Sequence, residues 1–331
     1  MFQTEIVIYI QSFSSEFLNF FFLLITSMGY ESFLRPFLII FIFGVSYKRG
    51  FLILHLVLWT AITTEILKDV FALPRPSHVD SAVLLLGKGY KNPTLLQGMG
   101  AKSFFGLLPP ESIEYIRRLR FDSFGLPSGH TSGAVALWGG MATLYRKRFL
   151  TISCVVLIVL IPLSRIYLGR HFLADILGGY IVGLIFLGIF YKYIFFNDEF
   201  GQLFFNISKK VEINPATIIL IFYFFGAPPL LLFLPQVDAR MSAILLGLNI
   251  GFFLVWLKGI PNCTASIRMR IIRVVISIIF FIAISLISDW ISEFIKSEKS
   301  ALLEYIFQAA ILGLITWIST EVIIKLKLMS R

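Results

Sequence analysis

Charge and cysteine are scarce in this chain. Only 15 % of its 331 residues are Asp, Glu, Lys or Arg, against about 25 % in an ordinary soluble domain. That composition excludes a soluble globular class. The two cysteines, Cys154 in an apolar run and Cys263 in a polar connection, supply neither a disulfide framework nor metal-ligand spacing. Residues 1–33 contain Glu5, Glu16 and Glu31 but no lysine or arginine. With no basic n-region and no small-residue cleavage site, this start does not read as a removable signal peptide. Internal repeats and low-complexity segments are also missing.

What the chain has in quantity is apolar length. Hydrophobic residues make up 57 % of it, and the mean hydropathy is +0.86. The sequence therefore reads as a polytopic, all-α transmembrane helical bundle. Apolar runs fall at about 34–47, 51–73, 131–145, 149–168, 171–195, 215–234, 241–257, 271–289 and 301–323, giving nine candidate spans. The first is short and relies on flanking residues such as Arg35 and Tyr47, or on local thinning of the bilayer. Residues 1–33 read as an interfacial segment, 34–195 as the membrane core that carries the chemistry, and 196–331 as additional transmembrane helices.

The net charge of +10 is read as topology, with no nucleic-acid partner, because basic residues of membrane proteins sort to cytoplasmic loops. Alternating the nine spans gathers Lys48, Arg49, Arg146, Lys147, Arg148, Lys192, Lys209, Lys210, Lys258, Arg268, Arg270, Arg273, Lys325, Lys327 and Arg331 on one side. The short loops of the other side hold Arg240, Lys296 and Lys299 beside Asp238, Asp289, Glu293 and Glu298. This distribution predicts an outer N-terminus and a cytoplasmic C-terminus. The long connection 74–130 runs against the trend, with Arg117, Arg118 and Arg120 on the outer side, although long loops weigh less in orientation.

Against this apolar background, residues 164–175 stand out. Ser164, Arg165, Arg170, His171 and Asp175 are packed into a stretch that opens a long apolar run. A helix beginning near His171 would place Asp175 at i+4, one turn along the same face. A carboxylate within a span is costly, and such residues are paired and functional as a rule. Either a polar bundle contact with a helix cap or a histidine oriented by an aspartate satisfies the pattern.

Two further stretches are predicted at the same membrane boundary. Lys68 and Arg75, seven residues apart, would share a helical face, with Pro74 and Pro76 ending the helix. Pro127-Ser128-Gly129-His130 leads into the next span. Its hydroxyl and backbone N–H groups at a helix start form an anion cradle; taken alone, the tetrad also fits an ordinary turn and N-cap. Together the segments offer three cations, a serine, two histidines and one aspartate. This set suits a tetrahedral oxyanion held through phosphoryl transfer. It lacks the carboxylate cluster of a magnesium site.

These residues resemble the type 2 phosphatidic acid phosphatases, which share their site with vanadium haloperoxidases. The family pattern K-x6-R-P, P-S-G-H and S-R-x5-H-x3-D is matched by Lys68 to Arg75-Pro76, by Pro127 to His130, and by Ser164-Arg165 to His171 to Asp175. The resemblance covers about residues 17–195. Nine spans with an outer N-terminus also look like the glucose-6-phosphatase branch. The resemblance implies a catalytic core of that fold followed by extra C-terminal helices. It implies His171 as nucleophile, Asp175 as its orienting partner and His130 as acid and base. Lys68, Arg75, Ser128, Gly129 and Arg165 would hold the phosphoryl oxygens, with no metal or cofactor. A phosphorylated lipid hydrolysed at the extracytoplasmic face, in a bacterial inner membrane, is the leading expectation. The alternatives are a sugar-phosphate phosphatase, a lipid phosphotransferase, and a transporter that uses the anion site for binding only.

Overall fold

The computed structural model describes residues 1–87, 94–119, 124–196, 215–234, 239–295 and 301–331. Arg120, Lys209, Lys210, Asp238, Lys296, Glu298 and Lys299, used above in sorting the charges, lie outside these residues. The regular structure of the described residues is helical: α1 (Glu5–Gln11), α2 (Glu16–Ser27), α3 (Glu31–Gly44), α4 (Tyr47–Phe71), α5 (Pro76–Val79), α6 (Pro110–Leu119), α7 (Gly129–Ala134), α8 (Gly140–Tyr145), α9 (Arg148–Tyr167), α10 (Leu173–Phe190), α11 (Pro215–Ile221), α12 (Ala227–Leu231), α13 (Ala239–Trp256), α14 (Ile267–Ile295) and α15 (Ala301–Lys325). Wide π turns at Val135–Gly139, Tyr191–Phe195 and Phe222–Gly226 interrupt or extend these helices.

The all-α polytopic class is the one observed. Among the described residues, six helical stretches are long and apolar enough to cross a membrane: Tyr47–Val79, Arg148–Tyr167, Leu173–Phe195, Ala239–Trp256, Ile267–Ile287 and Glu304–Lys325. The pair α1 and α2, bent by 119°, makes a seventh if taken as one span. The other three predicted runs are helical but shorter. One falls on α3, one on α7 and α8 with the π turn between them, and one on α11 and α12. Among the described residues six helices therefore meet the length of a span, and the expected nine are not confirmed.

The chain divides into two compact units, Met1–Leu34 with Trp59–Ile189, and Arg35–Leu58 with Phe190–Arg331. Every sequence-predicted site residue belongs to the first. There α10 carries small residues at Gly179 and Gly183, a spacing that lets a neighbouring helix approach closely. A Cβ on Gly179 would stand 2.7 Å from the Ser128 carbonyl oxygen and from Thr131 Cβ, and one on Gly183 2.6 Å from Val135 Cβ. The bare face of α10 thus fixes where the 127–135 segment lies. Elsewhere in the unit, buried Gln11 ties three pieces of chain together. Its Nε2 donates to the carbonyls of Leu84 (2.6 Å) and Tyr167 (2.9 Å), and its Oε1 accepts the Leu84 N–H at 2.9 Å.

In the second unit the same device joins α13 to α15. A Cβ on Gly247 would stand 2.4 Å from the Ala309 carbonyl oxygen, and one on Gly251 2.6 Å from that of Gly313. Arg273 is fully buried. Its guanidinium is spent on the carbonyls of Cys263 (2.6 Å), Gly44 (3.3 Å) and Leu328 (3.3 Å). Buried charge is stable only when paired and hydrogen-bonded, and these carbonyls provide the hydrogen bonds.

Gly251→Val is expected to destabilise the protein by about 1–3 kcal/mol through overpacking, read as a lowered thermal midpoint in detergent. Gly188→Ala, where nothing lies within 4 Å of the added carbon, leaves the midpoint unchanged or raises it.

Candidate active site

The third motif is shaped by where α9 stops. Gly169 adopts φ +71°, a left-handed conformation suited to glycine, and a Cβ there would meet the Leu84 carbonyl oxygen at 2.4 Å. The Arg170 N–H then donates to the Arg165 carbonyl at 2.9 Å, and His171 follows. The expected helix from His171 is not what forms. Helix α10 begins at Leu173, and His171 lies in the connection before it. Asp175 nevertheless reaches back. Its Oδ2 accepts the Phe172 N–H at 2.9 Å and lies 3.2 Å from His171 Nδ1. The physical cause is the unpaired N–H groups at a helix start, which attract a first-turn carboxylate. Ser164, the first residue of this motif, is buried and its Oγ donates to the Ile161 carbonyl at 2.6 Å, so it serves the helix.

The second motif is tied directly to the third. The Ser128 N–H donates to the Asp175 main-chain carbonyl at 2.9 Å. Ser128 occupies the N-cap position of α7, yet its side chain makes no capping bond, so the ordinary-cap reading fails. Ser128 Oγ and His130 Nε2 are both buried without a hydrogen-bond partner, and buried polar atoms left this way call for an explanation. Lys68 meets this turn from the first motif: its Nζ lies 3.5 Å from the position of a Cβ on Gly129. The same ammonium binds Glu65 Oε1 at 2.6 Å.

Lys68 and Arg75 do not share a helical face, contrary to the spacing argument. Helix α4 ends at Phe71, and Ala72 turns the chain at φ +49°. Pro74 and Pro76 then hold Arg75 extended, at φ −93° and ψ 163°, as residues before proline are constrained to be. What brings Arg75 to the site is a loop contact. The Gly125 N–H donates to the Leu73 carbonyl at 2.8 Å, and Arg75 Nη2 faces the Phe124 carbonyl at 3.5 Å. A Cβ on Gly125 would stand 2.8 Å from the Pro74 carbonyl oxygen and 3.1 Å from Asp175 Oδ2. Gly125 is thus the point where all three motifs meet, and its lack of a side chain makes the meeting possible.

Sequence reasoning missed the residues that come from the N-terminal segment. Arg165 Nη1 donates to Thr26 Oγ1 at 2.8 Å and to the Tyr30 hydroxyl at 3.3 Å. Tyr30 also stands edge-on to the His130 ring, with centroids 4.6 Å apart at 85°. Gly29 fits against the same imidazole so closely that a Cβ would lie 2.5 Å from His130 Cδ2. No motif or periodicity signals these contacts, because the partners are a hundred or more residues apart in the chain.

Burial sets the electrostatics of both histidines, which lie at the edges of the spanning helices. His171 is held neutral well below its usual pKa, first by loss of solvent and then by the cations of Arg75, Arg165 and Lys68. His130 is shifted in the same direction, by burial and then by Arg165, Lys68 and Arg75. The three cations therefore act on one small region that contains both imidazoles. Among the described residues, no three His, Cys, Asp or Glu side chains gather as metal ligands.

Residues 49–199 match the family model described as the PAP2 superfamily. The chain is 26 % identical over 166 residues to the lipid A 4'-phosphatase of Porphyromonas gingivalis, covering 46 % of this chain and 58 % of that protein. It is 35 % identical over 89 residues to phosphatidylglycerophosphatase B of Bacillus subtilis, covering 22 % and 44 %. It is 36 % identical over 91 residues to undecaprenyl-diphosphatase BcrC of the same organism, covering 28 % and 46 %. The match thus spans about half the length of each of these relatives. No solved structure matches the chain.

Gly125→Ala is expected to weaken binding of inorganic phosphate, measured by calorimetry, at least about tenfold, because displacing a site by a fraction of an ångström is costly. Helix content, read by circular dichroism, stays that of the wild type.

Proposed function

We propose, from the match of residues 49–199 to the PAP2 superfamily, that the chain is a metal-independent lipid phosphatase of that superfamily working through a phosphohistidine. The observation that carries this reading is the buried His171–Asp175 pair, set beside a second, half-buried histidine and three cations. Asp175 engages Nδ1, so the proton resides there and Nε2 keeps its lone pair for attack on phosphorus. Burial and the neighbouring cations keep the imidazole neutral, which is the nucleophilic form.

Lys68, Arg75 and Arg165, with the Ser128 hydroxyl and the Gly129 amide, take up the charge of the three phosphoryl oxygens. The unpartnered Ser128 Oγ and His130 Nε2 are suited to the phosphoryl group and the leaving oxygen. In the first step His171 Nε2 bonds to phosphorus as the ester oxygen departs, and His130 supplies the proton to that oxygen. In the second step His130 takes a proton from water, whose oxygen attacks phosphorus and releases His171. Burial and then the neighbouring cations lower the pKa of His130; arrival of the phosphate dianion offsets the cations and raises it toward the charged form that the acid step uses. Binding of the substrate thus completes the catalyst.

The lipid character of the substrate is supported by the apolar helices of the chain and by its similarity to a lipid A 4'-phosphatase, a phosphatidylglycerophosphatase and an undecaprenyl-diphosphatase. The distribution of basic residues supports an extracytoplasmic site, with the N-terminus outside and the C-terminus inside. A bacterial inner membrane is the setting in which these features fit together.

Phosphate release from phosphatidic acid in mixed micelles is expected to persist in EDTA and to fall by roughly 10³-fold or more in His171→Ala. In His130→Ala the expected fall is roughly 10²–10⁴-fold. Equal release by wild type and His171→Ala would remove the nucleophile assignment. The pH profile gives a separate check. Protonation of His171 abolishes attack, so the acid limb of kcat/KM lies below pH 6.5 and moves upward in Arg75→Gln, where one cation opposing the imidazolium is gone. Cysteine labelling should find Ser103→Cys accessible from outside and Lys147→Cys from inside.

A further inference from the structure

Residues 26–30 lie outside the stretch 49–199 that matches the PAP2 superfamily, yet they are built into the site, and the reason starts with how α2 is seated. Ser15 caps the helix, its Oγ accepting the Leu18 N–H at 3.2 Å, which fixes where α2 begins. Asn19, Phe22 and Thr26 then follow at i, i+3 and i+7 and share one face. All three meet the C-terminal end of α9. The Tyr167 hydroxyl donates to Asn19 Oδ1 at 2.6 Å, the Phe22 and Tyr167 ring centroids lie 4.5 Å apart, and Arg165 Nη1 donates to Thr26 Oγ1 at 2.8 Å.

Arg165 is buried, and this segment gives its guanidinium two acceptors, Thr26 Oγ1 and the Tyr30 hydroxyl at 3.3 Å. Both are met by Nη1, whereas Nε is buried without a hydrogen-bond partner. Two acceptors on one amino group fix the rotation of a planar guanidinium, and the unpartnered Nε is left as a donor for an anion. Tyr30 also touches the other half of the site. Its ring stands edge-on to that of His130 at 4.6 Å, and Gly29 lays bare backbone against the same imidazole, where a Cβ would lie 2.5 Å from Cδ2 and 3.2 Å from Nε2. One short stretch of chain therefore limits where both side chains can sit.

We propose that Thr26 and Tyr30 are positioning residues of the active centre: their hydroxyls set the plane of Arg165 for the phosphoryl group, and the Tyr30 ring sets the His130 imidazole toward the leaving oxygen. The N-terminal helix pair is then a working part of the site. Neither residue touches the reacting atoms; both act through the groups they hold. The inference rests on the phosphatase reading above for the roles of Arg165 and His130, while the hold on Arg165 also governs simple anion binding, which needs no turnover. The two contacts have different kinetic consequences. A guanidinium that loses its orientation binds phosphate less well in ground state and transition state alike, which raises KM. An imidazole that loses its orientation fails as an acid, which lowers kcat only where the leaving oxygen needs a proton.

The test uses the full chain in detergent and compares wild type with Thr26→Val, Thr26→Ser, Tyr30→Phe and Tyr30→Leu. The substrates are dodecyl phosphate, whose leaving alkoxide needs a proton, and p-nitrophenyl phosphate, whose leaving group does not. Binding of inorganic phosphate is followed by calorimetry. Thr26→Val and Tyr30→Phe are expected to weaken phosphate binding and raise KM on both substrates by roughly tenfold, the scale of a hydrogen bond to a charged group, with kcat within about threefold of wild type. Thr26→Ser, which keeps the hydroxyl, binds phosphate within about threefold of wild type. Tyr30→Leu, which removes the ring as well, loses about a further tenfold or more in kcat on dodecyl phosphate and stays within about threefold of Tyr30→Phe on p-nitrophenyl phosphate. A merely structural role would lower both rates together and would not be rescued by serine. Unchanged phosphate affinity in Thr26→Val and Tyr30→Phe, failure of Thr26→Ser to restore it, or equal kcat losses on the two substrates in Tyr30→Leu would overturn the proposal. Wild-type turnover with unchanged affinity in the variants removes the positioning role and leaves the phosphatase reading. Weakened phosphate binding in Thr26→Val and Tyr30→Phe, with no turnover by wild type, keeps the hold on Arg165 and removes the enzymatic reading.

Discussion

The site depends on one buried carboxylate. Asp175 is wholly shielded from solvent, in a chain whose apolar setting makes a solitary charge expensive. It is kept there by the start of α10: the Phe172 N–H and His171 Nδ1 both meet its Oδ2, and its own main-chain carbonyl receives the Ser128 N–H. A single residue thus orients the imidazole and anchors the serine turn. The two inner motifs are coupled through it, so His171 and the 127–130 turn are held in one arrangement.

Around that carboxylate, close approach is achieved by leaving side chains out. Gly125 lets the loop after α4 and the carboxylate of α10 meet, and Gly179 and Gly183 let the 127–135 segment lie directly on α10. The cations then converge on the two histidines from three different parts of the chain. Their concentration would be unfavourable in itself. Glu65 on Lys68 and the hydroxyls on Arg165 relieve part of it, and a phosphate dianion is suited to relieve more. In the proposed role, charge held in fixed positions before a ligand arrives is what makes electrostatic stabilisation effective.

Much of this was legible in the sequence, for physical reasons that can be stated. Charge is so rare in apolar runs that Lys68, Arg165, His171 and Asp175 announced themselves, and prolines at 74, 76 and 127 marked where helices end or begin. The geometry linking these residues was less legible. The pairing of His171 with Asp175 was anticipated, but through a helical i+4 contact; it forms instead through a cap, because the helix starts two residues later. Lys68 and Arg75 were placed on one helical face, whereas the left-handed turn at Ala72 and the extended backbone at Arg75 carry the second cation along a loop. The count of nine spans took each apolar run as a crossing; among the described residues six helices reach that length, and three of the runs form shorter ones, so the count is not confirmed. Thr26, Gly29 and Tyr30 left no trace in pattern or spacing, since their importance lies in contacts that only the folded chain creates.

If His171 is the nucleophile, phosphate must become covalently attached to it during turnover. Rapid quenching of wild type with a substrate labelled in its phosphate, followed by proteolysis and mapping, tests this most directly. The account predicts an acid-labile, base-stable phosphate on the peptide containing His171. The label should be absent from His171→Ala and should accumulate in His130→Ala when a leaving group that needs no proton is used. Turnover with no label on that peptide, or with the label on another residue, would contradict it.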